Sequence, residues 1–250
     1  MLSAKGAAAP SQSSETLPQH PFCAELLGSL AAICECRDLG LLGYSKAFEL
    51  QRQLVEQRKR GEIPDQLLFV EHPHVITMGR NGHAENVIAS PEILERTGIE
   101  FHHTDRGGDV TWHGPGQIVG YPILDLREWK RDVMAYVRGV EEVLIQAIAR
   151  FGQVGERVPG ATGVWVKTAH GPAKVAAIGV HISRWVTSHG FALNVDPDLS
   201  YFRYIVPCGL TKPVTSLHDL GVRASRREVV DALAESFGRV FDRELKMETL

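Results

Sequence analysis

The sequence predicts an α+β fold in which a mixed or antiparallel sheet is flanked by helices. Short runs of alternating apolar residues recur at hairpin-scale spacing, four or five segments carry helical periodicity, and the two kinds do not alternate as regular βαβ repeats. At 250 residues and 44% hydrophobic, the chain can bury one sizeable core. No internal repeat or long linker divides it, so residues 21–250 read as one domain. Residues 1–20 are rich in Ser, Ala and Pro and read as a disordered extension.

Pro21–Ala32 fits a short helix or an ordered arm. Leu39–Gly43 then leads into Tyr44–Lys59, where Ala47, Leu50, Leu54 and Val55 mark one helical face, stopped by Gly61 and Pro64. Gln66–Glu71 and Val75–Met78 read as strands around a His72-Pro73-His74 turn. Pro91–Arg96 fits one or two helical turns, and Ile99–His103 begins a strand. Val110–Trp112 and Ile118–Tyr121 alternate as strand ends joined by a Gly114-Pro115-Gly116 turn. Trp129–Phe151 is the longest periodic segment, an amphipathic helix ended at Gly152. Gly163–Lys167, Lys174–Ile182 and Phe191–Val195 read as strands, and Leu199–Tyr204 as a short helix or turn. Arg226–Phe241 closes the chain as a helix, with Ser225 as N-cap and Glu228 completing a capping box.

The chemistry concentrates in Thr104–Asp125, which holds five glycines, two prolines, Arg106, Asp109, His113 and Gln117. Glycine at this density costs chain entropy that a plain turn does not require. Bare backbone on this scale lets a ligand lie close against amide N–H groups. The spacing matches neither the GxGxxG dinucleotide fingerprint nor a phosphate loop ending in Lys-Ser or Lys-Thr.

Composition narrows the classes. A formal net charge of −3 does not suit a protein whose affinity rests on neutralising nucleic-acid phosphates. The basic clusters Gln53–Arg60 and Arg223–Arg227 have acidic neighbours and read as solvated faces. Cys23, Cys34, Cys36 and Cys208 form no CxxC pair, and the N-terminus has no secretory core, so a reducing cytoplasm is expected. No apolar run reaches the roughly 18 residues of a membrane span. His72, His74, His83, His102 and His103 match no common zinc spacing, and neither a metal nor another cofactor is expected.

Cys208 is the strongest single chemical candidate, framed by Pro207 and Gly209. A thiol near pKa 8.5 needs a positive neighbour or amide dipoles to be a thiolate at about pH 7. His113, His181, His189 and Lys174 are the candidate activators; Lys174 opens a small apolar strand after a Gly-Pro turn, where desolvation favours its neutral form.

Three blocks, taken together, resemble a known family. Arg106–Tyr121, then Lys174–Gly179 continuing to His189–Asn194, then Ile205–Gly209 with Thr215–Leu217, closely resemble the signature of the lipoate-biosynthesis octanoyltransferases, the LipB family, in the same order across about residues 40 to 240. The resemblance implies the fold of lipoate and biotin protein ligases, related to class II aminoacyl-tRNA synthetases. It implies an acyltransferase that moves octanoate from octanoyl-acyl carrier protein to a lysine of apo lipoyl domains, in the E2 subunits of 2-oxoacid dehydrogenases and in the glycine-cleavage H protein. The family's catalytic cysteine falls on Cys208 and its lysine on Lys174. Substrate contacts fall on Arg106, Gly107, Gly108, Asp109, Val110, Thr111, Trp112 and His113 within the loop, and on Ala177, Ile178, Gly179, His189, Gly190, Phe191 and Ala192. Val110, Trp112, Ile178 and Phe191 are the expected walls of an apolar groove, and Arg127, Lys130 and Arg184 are candidate steering charges for acidic protein substrates. Two neighbouring activities stay open beside it, an ATP-dependent lipoate or biotin protein ligase and a cysteine amidase or thioester hydrolase. So does a non-catalytic acyl-binding protein.

Overall fold

The computed structural model describes residues 31–206 and 213–248. Residues 1–30, on which the extension and the Pro21–Ala32 arm were read, lie outside them, as do Pro207–Lys212. The described chain opens with a strand that sequence reasoning missed, β1 (Ala32–Leu41), in which Cys34 and Cys36 alternate inward. Helix α1 (Tyr44–Lys59) follows with the expected bounds, then β2 (Asp65–Glu71) and β3 (Val75–Met78). Helix α2 (Pro91–Thr97) is capped by the Ser90 side chain and ends at Gly98 in the left-handed region. Strands β4 (Glu100–His103), β5 (Val110–His113) and β6 (Gln117–Ile123) come next.

The long periodic segment forms α3 over Val133–Ala149 only, because Asp132 caps it by accepting the Ala135 N–H, and Leu126–Glu128 make a separate 3-10 turn. Then follow β7 (Gly155–Val158), β8 (Ala161–Thr168), β9 (Gly171–Ser183) and β10 (Val186–Asn194), with Leu199–Tyr204 as a 3-10 turn. Helix α4 (Arg226–Phe241) carries the expected capping box, and β11 (Arg243–Met247) ends the described chain. None of the described helices is long and apolar enough to cross a membrane.

The large sheet is mixed, in the order β11-β1-β2-β6-β10-β9-β8-β7. β11, β1 and β2 run parallel, and the remaining neighbours are antiparallel. Alternation splits β2 between two cores: Leu67 and Phe69 face α3 and α4 with Leu144, Ile148, Phe237 and Phe241, whereas Leu68 and Val70 face α1 with Ala47, Leu54 and Tyr121. Each fully buried Leu or Phe contributes about 1.5–3 kcal/mol of transfer free energy.

β5 and β6 are joined by the expected Gly114-Pro115-Gly116 turn, in which Gln117 N–H donates to Gly114 O at 3.2 Å, but they do not pair with each other. β5 pairs with β3 in a separate three-stranded sheet, β4-β3-β5, while β6 lies between β2 and β10 in the large one. Gly114-Pro115-Gly116 therefore carries the chain from one sheet to the other. Gly116 has φ +86°, and a Cβ there would stand 2.3 Å from the Asp196 carbonyl oxygen, so the crossing needs glycine. The gap between the two sheets becomes the cavity described below.

The basic segment Gln53–Arg60 is also not wholly solvated. Asp65, 1% exposed, accepts from Arg58 Nε at 2.8 Å and Arg243 Nε at 2.7 Å, and takes the Asp125 N–H at 2.9 Å. Removing one partner from such a buried set costs about 3–5 kcal/mol, because a charge is left uncompensated.

Candidate active site

Small residues on β9 and β10 make the floor of the gap. Ala177 pairs with Ala192 and Gly179 with Gly190 across the two strands. The glycine-rich segment Arg106–Gly108 makes the roof. Gly107 donates its N–H to Val180 O at 2.8 Å, and a Cβ on Gly179 would come within 2.9 Å of the Gly107 carbonyl, so roof and floor approach as closely as bare backbone allows. Arg106, 8% exposed, stiffens the roof: its Nη2 donates to Thr77 O at 2.6 Å, its Nε to Thr77 Oγ1 at 3.2 Å and its Nη1 to Gly107 O at 3.0 Å.

Between them lies a cavity of about 480 Å³. That is within the roughly 300–1,000 Å³ usual for small-molecule sites. Every substrate residue named from the sequence lines it except Asp109 and Trp112, and Lys174 lines it too. Val110, Ile178 and Phe191 supply apolar wall, as expected for the groove. Trp112 does not: it is fully buried in a separate core with Ile76, Ile99 and Ile205, where the 3-10 turn lays Tyr201 against it at 5.3 Å and 13°. Asp109 faces away as well, its carboxylate accepting from the N–H groups of His83 (3.1 Å) and Val110 (2.7 Å) and from the Asn86 side chain. Both stand behind the wall rather than on it.

Lys174 stands at the β8 end of the cavity. Its Nζ donates to Thr162 O at 3.1 Å and lies 4.8 Å from the centre of the Trp165 ring, a cation–π distance. Its backbone is clamped on both sides, its N–H donating to Pro213 O at 2.9 Å and its carbonyl accepting from Thr215 N–H at 3.0 Å. Cys208 lies outside the described residues. The described chain before it ends with Val206, whose N–H is held by Asn86 O at 2.7 Å.

A polar line crosses the cavity from β5 to the same Thr215. His113 donates from Nδ1 to Gln117 Oε1 at 3.1 Å, Gln117 Nε2 donates to Asn194 Oδ1 at 2.9 Å, and Asn194 Nδ2 donates to Thr215 O at 2.9 Å. Burial, followed by the nearby His72 and Arg106, pushes the His113 pKa down to about 3, so the ring is neutral near pH 7. His72 is likewise pushed down to about 4 by burial; it donates from Nδ1 to Leu42 O and accepts at Nε2 from the Tyr121 hydroxyl, each at 2.7 Å. His113 on the cavity wall and His72 beside it thus offer hydrogen bonds without charge. No three His, Cys, Asp or Glu side chains among the described residues converge to hold a metal ion.

Sequence reasoning missed Tyr44, Thr162, Phe202 and Val214 on the lining. Tyr44 carries no signal beyond opening a helix; Thr162 arrives on β8, Val214 through its bridge to Lys174, and Phe202 from the 3-10 turn. Arg127 and Arg184, expected to steer protein substrates, do not line the cavity; Arg127 is bound to Asp125 at 2.9 Å, and Arg184 lies 3.5 Å from Glu56.

With this geometry in place, comparison with known proteins is specific. Residues 43–238 match the family described as the lipoyl protein ligase A/B catalytic domain. An octanoyltransferase from Solibacter usitatus is 61% identical over 212 residues, covering 85% of this chain and 94% of its own. One from Koribacter versatilis is 56% identical over 209 residues, covering 82% of each. Among solved structures, a bipartite lipoate protein ligase from Thermoplasma acidophilum superposes with a TM-score of 0.72 at 16% identity, covering 88% of both chains. A lipoate-protein ligase A bound with ATP gives 0.69 at 16% identity, covering 87% of this chain and 89% of its own. These two structural likenesses bear on the fold alone, which is the one expected.

Proposed function

Because the chain belongs to the lipoyl protein ligase A/B catalytic family and is an octanoyltransferase, we propose that it moves an octanoyl group from acyl carrier protein to a lysine of a lipoyl domain through a thioester on Cys208, with Lys174 carrying the protons. The acceptors are the apo lipoyl domains of 2-oxoacid dehydrogenase E2 subunits and the glycine-cleavage H protein. The observation that carries this reading is the position of Lys174. Its side chain belongs to the cavity wall, while its backbone N–H and carbonyl are both bonded to Pro213–Thr215, the chain that continues from the Pro207-Cys208-Gly209 block.

In the first step, Lys174 takes the Cys208 proton and the thiolate attacks the octanoyl thioester carbonyl. The carrier's C–S bond breaks, and its phosphopantetheine thiol leaves with the proton from Lys174. In the second step, the acceptor amine attacks the acyl-enzyme, Lys174 takes the amine proton, and Cys208 departs as a thiolate that Lys174 reprotonates. Exchange of one thioester for another is nearly isoenergetic and thioester to amide runs downhill, so the steps use no ATP. Gly107 is not an oxyanion donor, since its N–H is committed to Val180. That leaves the other amides of the glycine-rich loop and those beside Cys208-Gly209 for the oxyanion.

The deciding experiment is intact-protein mass spectrometry after mixing the chain with octanoyl carrier protein, followed by addition of an apo lipoyl domain. An octanoyl adduct that maps to Cys208 and then moves to the domain's lysine supports the scheme. Transfer only with ATP and free octanoate would make it a ligase, and release of octanoate without an acceptor a hydrolase.

A further inference from the structure

One cluster beside the cavity has no part in the two covalent steps. His189, on β10, is 2% exposed and has φ +55°, a region that only a few per cent of non-glycine residues enter, Asn, Asp and His more than the rest. Such backbone persists only where the surroundings over-determine it. Three contacts do so here: the His189 N–H donates to Gln51 Oε1 at 2.9 Å, its ring stacks on Phe48 at 5.5 Å and 23°, and its Nε2 lies 2.7 Å from Asp105 Oδ1. The other Asp105 oxygen is 3.6 Å from His181 Nε2.

The hydrogen bond from His189 is the chief reason that the Asp105 pKa is held down to about 2, so the carboxylate only accepts and Nε2 must carry the proton. Burial holds His189 below its ordinary value despite that partner, which keeps the ring neutral. One tautomer satisfies both conditions, with hydrogen on Nε2.

Asp105 itself does not line the cavity. It lines a shallow recess on the outer side with Gln51, His181 and Ser188. Yet it directly precedes the roof segment Arg106–Gly108, while His181 and His189 belong to the floor strands. The geometry points to Asp105 as a positioning residue for acyl transfer: through His189 it fastens the glycine-rich roof to the floor and fixes the His189 imidazole, in its Nε2–H form, on the cavity wall. This rests on the reading of the cavity as the acyl site.

The test uses Asp105→Asn, Asp105→Glu, His189→Asn (asparagine tolerates the positive φ) and the double variant Asp105→Asn with His189→Asn. Nitrogen-15 NMR of the imidazoles reads the tautomer, and single-turnover acylation against octanoyl carrier protein concentration reads function. D105N is expected to lose the single Nε2–H signature. It should raise half-saturation by about tenfold, the worth of one hydrogen bond to a charged group, with the limiting rate within about threefold. D105E should recover part of that loss, and the double variant should be no worse than the worse single one. Wild-type half-saturation in D105N, or two losses that multiply in the double variant, would overturn the assignment. If acylation of the wild-type chain leaves the His189 ring signals unmoved, the cavity reading itself fails, and that result is separate from anything D105N does.

Discussion

Asn86 joins the glycine-rich motif to the chain that approaches Cys208: its side chain donates to the Asp109 carboxylate, and its own carbonyl holds the Val206 N–H at 2.7 Å. The same brace continues through Tyr204, whose carbonyl accepts from Ile88 and Ala89 N–H at 2.9 and 3.1 Å. Asp109 therefore acts on the described chain before Cys208 without facing the cavity.

Asp109→Ala should cost about 2–3 kcal/mol, since it strands buried N–H donors that now share one carboxylate. Urea unfolding measures the cost, and amide exchange at Val206 should quicken more than at β6. Unchanged protection at Val206 would remove the brace.

Lys174→Ala should fold, because the side chain is only partly buried, and both half-reactions should slow by about 10²- to 10⁴-fold, the usual weight of one general acid–base group. Cys208→Ala should give no acyl-enzyme at all. Rapid-quench mass spectrometry separates the two, and near wild-type acylation in K174A would strip the lysine of its role.

Chain-length choice should follow the small residues of the floor. Ala177→Leu fills cavity space, and each methylene forced out of the apolar slot forfeits about 0.8 kcal/mol, roughly fourfold in selectivity. Competition between hexanoyl and octanoyl carrier protein, which differ by two methylenes, should shift toward the shorter donor by about fifteenfold. An unshifted ratio would put the acyl chain elsewhere.

Acid should destabilise the fold through two buried histidines. Their folded-state values, about 3 for His113 and about 4 for His72, lie below the unfolded value near 6.5. Below pH 6.5 the unfolded chain binds these protons first, so stability present at neutral pH drains away as pH falls toward those folded values. The loss approaches about 1.4 kcal/mol per pH unit for each ring. Urea midpoints from pH 7 to pH 4 should fall accordingly, and His113→Gln should flatten the slope. A slope unchanged by that variant would show that the ring titrates normally.

Much of this was legible in sequence because it depended on local period and local caps. Helix α4 announces itself through Ser225 and Glu228, and β3 through its run of β-branched residues, Val75-Ile76-Thr77. Strands β1, β7 and β11 were not legible: each interleaves charged residues with its apolar ones, and two of them lie at the sheet edges, where pairing is decided by a distant partner. The motif residues were found as a set, but motif membership does not say which side of a wall a residue takes. Trp112 and Asp109 took the far side. Asp105 carried no signal, since its meaning depends on His189, far along the chain and reached only through the pairing of β10 with β9.

Strand β11 has a consequence for how the chain is made. It pairs in parallel with β1, and its first residue, Arg243, completes the buried pairing of Asp65. The opening strand of the described chain is thus closed by the last one. During synthesis, a ribosome that still holds residues 243–247 leaves β1 as a bare edge and Asp65 one partner short. The sheet can finish only once those residues have left the ribosome, and until then its unfinished edge is where nascent chains would meet one another or a chaperone.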